Sequence, residues 1–222
     1  MLQSSTIGFL KNLAKNNDKS WFDAHRKQYD AAKQDYCQFI ESLIERISQF
    51  DTDLADLQGK NCLFRINRDV RFSKNKSPYK TNFGASLARG GKKSGYAGYY
   101  FHLEPGKSFF GGGIWMPEAD KVKKIRQEID YCFDEFKGIL KQKPFQTTYK
   151  DLFTGEDSKL SRIPQGFEKD NPAGEYLKLK SWLATIEIPD ADLVSKTLLA
   201  DTVKAAKALM PLNKFLNRAI ED

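Results

Sequence analysis

Of the 222 residues, 40% are hydrophobic and 13% aromatic, enough to fill a sizeable core and too many for a chain disordered throughout. The net charge of +7 is unevenly spread: residues 60–93 hold ten Lys and Arg against the single acid Asp69, a local charge of +9 that leaves the rest of the chain at −2. Such a concentration points to a site and argues against a generally cationic surface. No run of about 18 apolar residues is present, and the N-terminal stretch has neither a continuous apolar block nor a small-residue cleavage site, so the expected location is cytoplasmic, with no membrane partner. Cys37, Cys62 and Cys132 lie far apart beside only two histidines, which supplies neither a disulfide framework nor a zinc site. The thiols are expected to be free and buried, and no metal or organic cofactor is implied.

In chain order, "TIGFLKNLAKNN" predicts a short helix, and "DKSWFDAHRKQYDAAKQDYCQFIESLIERISQFD" predicts a long one that Asp18 or Ser20 caps. Trp21, Phe22, Tyr29, Tyr36, Phe39, Ile40, Leu43, Ile44 and Ile47 recur at helical spacing, so this helix faces a core. From Asn61 the pattern becomes β, with "CLFRIN", "NFGASLA", "GYYFHLE" and "SFFGGGIW" separated by turn residues, as in an antiparallel meander. "PEADKVKKIRQEIDYCFDEFKGIL" returns to helix. A turn-rich stretch, the extended "LKLKSWLATIEI" and a last helix that Pro211 should bend or interrupt complete the chain. The expected architecture is α+β in one domain, 1–222, with a central, mostly antiparallel sheet flanked by N-terminal and C-terminal helices. Its parts are a helical 1–50, a β meander over about 61–116, a helix over about 117–140, and a turn-rich segment with C-terminal helices over 141–222.

The basic stretch "RINRDVRFSKNKSPYK" carries the main candidate site. Read as one strand, it would place Phe64, Ile66, Val70 and Phe72 on a core face and Arg68 among them, where a guanidinium needs a carboxylate partner. Arg65 and Arg71 would face the other way. Followed by Lys74, Lys76 and Lys80, with the Tyr79 hydroxyl beside them, they form a donor set matched to phosphate or carboxylate oxygens. The residues Arg65, Arg68, Asp69, Arg71, Phe72, Asn75, Lys76 and Tyr79 fit the pattern R-x-x-R-D-x-R-F-x-x-[DN]-K-x-x-Y. In this the chain resembles domain of unknown function 2461, a bacterial family. "NNDKSWF", "GYYFHLEPGKSFFGGGIWMPE", "RIPQGFEKDNP" and "LKLKSW" extend the resemblance over nearly the whole chain. The resemblance implies a shared fold and a shared site and supplies no reaction.

Other chemistry is sparser. Strand alternation puts Tyr100, His102 and Glu104 on one face, with the imidazole and the carboxylate about 7 Å apart along it, so His102 could act as a base oriented by Glu104. Glu104 could equally be the partner that Arg68 requires. Gly111 to Gly113 mark a bulge or a surface approached closely. "RGGKKSG" lacks the leading Gly and final Ser/Thr of a phosphate loop, and "FFGGGIW" lacks dinucleotide-binding spacing. Glu156, Asp157, Arg162, Glu168 and Asp170 lie in a turn-rich stretch and could serve as counter-ions or acid–base groups at the basic site. The leading reading is an anionic, phosphate-bearing small ligand held by Arg65, Arg68, Arg71, Lys76, Tyr79 and Lys80, with His102 and Glu104 as catalytic candidates. The alternatives are a nucleic-acid-binding module built on the same segment, and a structural domain whose arginines knit the fold.

Overall fold

The computed structural model describes residues 1–155 and 158–221. Three helices open the chain: α1 (Ser4–Lys15), α2 (Lys19–Ala24) and α3 (Arg26–Ser48). Asp18 caps α2 by accepting from the Trp21 amide at 2.9 Å. The predicted long helix is broken at His25, whose backbone leaves the helical region while its ring stacks on Trp21 and its Nδ1 lies 2.8 Å from the Trp21 carbonyl. A turn of 3₁₀ helix (Thr52–Leu54) and a single helical turn, α4 (Gly59–Cys62), lead to the sheet.

The sheet is antiparallel throughout, in the order β1 (Phe83–Ala88), β2 (Gly98–Leu103), β3 (Phe109–Ile114), β4 (Trp182–Glu187). Between β3 and β4 the chain forms α5 (Ala119–Tyr131), α6 (Phe133–Lys141), α7 (Lys143–Thr148) and α8 (Gly174–Leu177). After β4 come α9 (Asp190–Leu193) and α10 (Leu198–Glu221). The helix predicted over 117–140 divides at Cys132 into α5 and α6. Pro211 lies inside α10, which continues through it to Glu221.

Alternation gives the sheet two unlike faces. Phe83, Ala85 and Leu87, Tyr99, Phe101 and Leu103, and Phe110, Ile114, Trp182 and Ala184 are buried beneath α3 and α10 and join the main hydrophobic cluster. A Cβ on Gly112 would stand 2.6 Å from Leu209 Cδ2, so its bare backbone lets α10 settle against β3. Polar ties cross this interface: the Tyr36 hydroxyl donates to the Phe101 carbonyl at 2.8 Å, and Tyr99 donates to Asp51 at 2.7 Å. Burial pushes the Tyr36 and Tyr99 phenols well above their usual range. The opposite face presents Gly84 and Ser86, Tyr100 and His102, Phe109, Gly111 and Gly113, and Leu183, Thr185 and Glu187.

The first half of the β1 edge is covered by residues 63–68, which run antiparallel to residues 78–85. Leu63 pairs with Ala85 and Asn67 with Tyr79, and Phe64 N donates to the Gly84 carbonyl at 2.9 Å. Only Ile66 of the predicted core-facing set is buried; Phe64 is exposed, Val70 half-buried, and Phe72 is 96% exposed. The extended run stops near Arg68, where the chain turns through residues 69–77 to make a hairpin tip. None of the helices among the described residues is long and apolar enough to cross a membrane.

Candidate functional site

The uncovered sheet face is the floor of a trench of about 1330 Å³. Gly84, Gly98, Gly111 and Gly113, with Ser86 and Thr185, keep that floor low. Along the β1 side the wall is Phe64, Arg65, Lys80 and Lys92, and toward the end of β3 and the start of β4 it is Trp115, Met116 and Phe153. Among the described residues six cations line the trench, Arg65, Lys80, Lys92, Lys93, Lys107 and Lys121, against the carboxylates of Glu118, Glu187 and Asp190. Asp190 is already engaged, since it accepts from the Gly106 amide at 2.7 Å and pairs with Lys11 at 2.9 Å.

The geometry of the hairpin sorts the basic stretch. Asn17 reaches across from the turn before α2 and clasps the Tyr79 backbone, its Nδ2 donating to the Tyr79 carbonyl at 2.9 Å and its Oδ1 accepting from Tyr79 N at 3.1 Å. The Tyr79 ring is buried and stacked on Phe22 at 4.0 Å. This anchorage sets the neighbouring Lys80 on the trench wall, half-buried, its ammonium 5.7 Å from the Phe64 ring centroid. Burial first and the nearby Arg65 guanidinium second lower the Lys80 pKa. Neither Arg65 nor Lys80 has a carboxylate within ion-pair distance among the described residues, and Lys92 donates to the Leu63 carbonyl at 2.6 Å.

The other basic residues lie elsewhere. Arg71 is exposed and closes on Asp69 through Nε at 3.0 Å and Nη2 at 2.7 Å, which holds the Asp69 carboxyl below its usual range. Lys76 donates to the Val70 carbonyl at 3.0 Å, within the tip itself. Arg68 is half-buried but meets no carboxylate among the described residues: Nη1 donates to the Ser77 carbonyl at 3.1 Å and Nη2 to Ser73 Oγ at 3.3 Å. In place of the expected carboxylate Arg68 has neutral acceptors, because it stands at the mouth of the hairpin tip, where backbone oxygens are in reach, and not inside the core. Arg71, Lys76 and Tyr79 do not line the trench.

His102 and Glu104 sit beside the trench floor. The Glu104 carboxylate accepts from the Thr81 hydroxyl at 2.8 Å and lies 3.1 Å from His102 Nε2. A proton on Nε2 satisfies that contact and leaves Nδ1 to accept from the Tyr100 hydroxyl at 3.3 Å and the Asn82 amide at 3.5 Å. Phe109 stacks on the imidazole at 4.8 Å. Burial raises the Glu104 pKa, but the Thr81 hydroxyl, His102 and Lys107 outweigh it and leave the carboxyl below its usual value. Tyr100, raised by burial and by Glu104, lines the trench and places its hydroxyl where a Cβ on Gly84 would stand, so only glycine at position 84 leaves room for it. A phenol, an imidazole and a carboxylate in hydrogen-bonding sequence can pass a proton between the trench floor and Glu104.

Sequence reasoning put Tyr100 on the face of His102 without giving it a role, and missed Asn82, Lys92 and Trp115. Trp115 carried no signal beyond its place at the end of a predicted strand. Arg162, Glu168 and Asp170 are exposed and do not line the trench, and Glu156 and Asp157 lie outside the described residues. No group of three His, Cys, Asp or Glu among the described residues is arranged to hold a metal ion.

A family model described as "Conserved hypothetical protein (DUF2461)" matches residues 5–215. Over 118 residues the chain is 33% identical to a component of eukaryotic translation initiation factor 3 from Caenorhabditis elegans, a match that takes in 48% of this chain and 13% of that protein. The chain thus spans a small part of that relative's length. No solved structure matches.

Proposed function

The chain belongs to the DUF2461 family, and from the side chains that this member sets around its trench we propose that it binds the phosphate groups of an anionic ligand on the open face of the sheet. One observation carries the reading: Arg65 and Lys80, adjacent and without carboxylate partners among the described residues, stand on the wall of a wide trench, and burial and mutual repulsion already disfavour the Lys80 ammonium. An anion between them relieves that repulsion and supplies the missing acceptors. The guanidinium offers a planar fork and the ammonium a point charge, with Lys92 nearby as a third donor. Arg71 and Lys76, turned toward their own hairpin tip, are left out of the binding set.

The test is calorimetric titration with pyrophosphate and a panel of phosphorylated metabolites. Wild type should bind at least one member, Arg65→Ala/Lys80→Ala should weaken it at least about tenfold by removing charge-assisted bonds, and Arg71→Ala should bind as wild type. Equal binding by wild type and the double variant would reject the reading.

A second reading rests on the Tyr100–His102–Glu104 sequence. In it His102 and Glu104 serve as an acid–base pair that acts on the bound ligand through the Tyr100 hydroxyl. Saturation with a bound phosphate compound should then shift the His102 ring resonances. Resonances that ignore the ligand would leave the trio a structural one.

A further inference from the structure

Resting on the phosphate-binding reading, we propose that the ligand is a single-stranded polynucleotide laid across the bare sheet. The trench, at about 1330 Å³, exceeds the roughly 300–1,000 Å³ of pockets that enclose one small molecule. Its floor is four strands of six residues each, about 20 Å long at about 3.3 Å per residue. A concave trench also cannot enter a duplex groove as a helix or a β-ribbon does, so it suits a strand whose bases are free.

Aromatic rings and cations recur together along its walls. Phe64 has the Lys80 and Lys92 ammonium groups 5.7 and 6.0 Å from its centroid. Tyr96, at the β1–β2 turn, has the Lys121 ammonium at 5.9 Å, while the Arg89 guanidinium at 5.1 Å pairs with Glu221 and does not line the trench. Across the floor Trp115 is 69% exposed and stacks on no other ring among the described residues, leaving an indole face free. A large exposed aromatic contributes nothing to the core, and stacking platforms spaced among cations are what a single strand requires, bases on rings and phosphates on charges.

The experiment titrates the full chain with ribo- and deoxyribo-oligonucleotides of about a dozen nucleotides, the matching duplex, AMP and pyrophosphate. Anisotropy of labelled strands and intrinsic tryptophan emission are both followed; Trp182 is buried and Trp21, half-buried and stacked on His25, does not line the trench, so quenching by stacked bases would report chiefly on Trp115. Single strands should bind more tightly than AMP or duplex. If about four phosphates are neutralised, a slope of about −0.7 per phosphate makes binding about fiftyfold weaker at 200 mM than at 50 mM salt. Trp115→Ala should weaken strand binding about 5- to 150-fold through the lost stack and pyrophosphate binding less than about twofold, with the thermal midpoint unchanged because the side chain is exposed. A preference for one sugar identifies the polymer. Strands that bind no more tightly than AMP, or a duplex that binds as well as a strand, would overturn the polynucleotide and leave the phosphate reading standing. Silence from every ligand, pyrophosphate included, would overturn both.

Discussion

Asn17→Ala is the substitution that most directly probes how the trench wall is held. The Asn17 amide makes two hydrogen bonds to the Tyr79 backbone, at 2.9 and 3.1 Å, and Tyr79 itself is buried. The Asn67–Tyr79 pairing is closed by the flanking bonds Arg68 N to the Pro78 carbonyl and Lys80 N to the Ile66 carbonyl, so the N–H and C=O of Tyr79 point away from that partner strand toward Asn17. Two bonds at about 1 kcal/mol each, together with the desolvation of backbone groups left unpaired, amount to about 2–4 kcal/mol. At about 2–4 °C per kcal/mol for a chain of this size, the thermal midpoint should fall by about 5–15 °C. Asn16→Ala next door removes only an exposed bond to Asn12 and should cost less than about 0.5 kcal/mol. Scanning calorimetry of the two variants decides the matter: if Asn17→Ala melts within about 2 °C of wild type, the clasp does not hold the hairpin and the account of how Lys80 is positioned fails.

Arg68→Ala should lose about 1–2 kcal/mol in denaturant melts, because it gives up hydrogen bonds to neutral acceptors and not the ion pair whose rupture costs about 3–5 kcal/mol; a loss in the larger range would mean a carboxylate partner after all. Glu104, whose folded pKa is depressed, contributes stability that is present above the ordinary carboxylate pKa and is lost as pH falls through the lower folded value. Acid melts should therefore be flatter in Glu104→Gln than in wild type, and parallel curves would contradict the Thr81 and His102 contacts. Burial pushes the Cys62 thiol up to about 11, so it should resist a thiol reagent at pH 8 until the protein unfolds, whereas rapid labelling in the folded state would refute its burial. Because a raised pKa stabilises below the unfolded value and is lost above it, Cys62 and the buried Tyr99 should together make stability decline from about pH 8.5 upward, measurable as a falling urea midpoint.

The meander was legible because "NFGASLA", "GYYFHLE" and "SFFGGGIW" alternate cleanly between turns, and each holds one of the first three strands. The breaks at His25 and Cys132 were not, since apolar spacing runs through both without interruption and only the local backbone departs from the helix. Charge density located the basic segment, but density has no direction. Whether a cation meets the trench or its own loop depends on a hairpin whose partner, Asn17, is 62 residues distant from Tyr79. Arg65 and Lys80 therefore separate from Arg71 and Lys76 only in three dimensions. The four glycines of the floor could have been aligned once strand register was known, and register is a property of pairs of strands that one strand's pattern does not contain.

The basic segment also guards the sheet. By pairing with residues 78–85, residues 63–68 occupy the first part of the row of backbone donors and acceptors that β1 would otherwise offer to any passing strand, and they cover it with Arg65, Asn67 and Arg68. At the opposite border Phe153 N donates to the Leu183 carbonyl at 2.7 Å and covers part of β4. Loosening the hairpin thus exposes a sticky border as well as dispersing a binding wall. Chains in which it is freed should pair with one another and come out of solution while their helices are still folded.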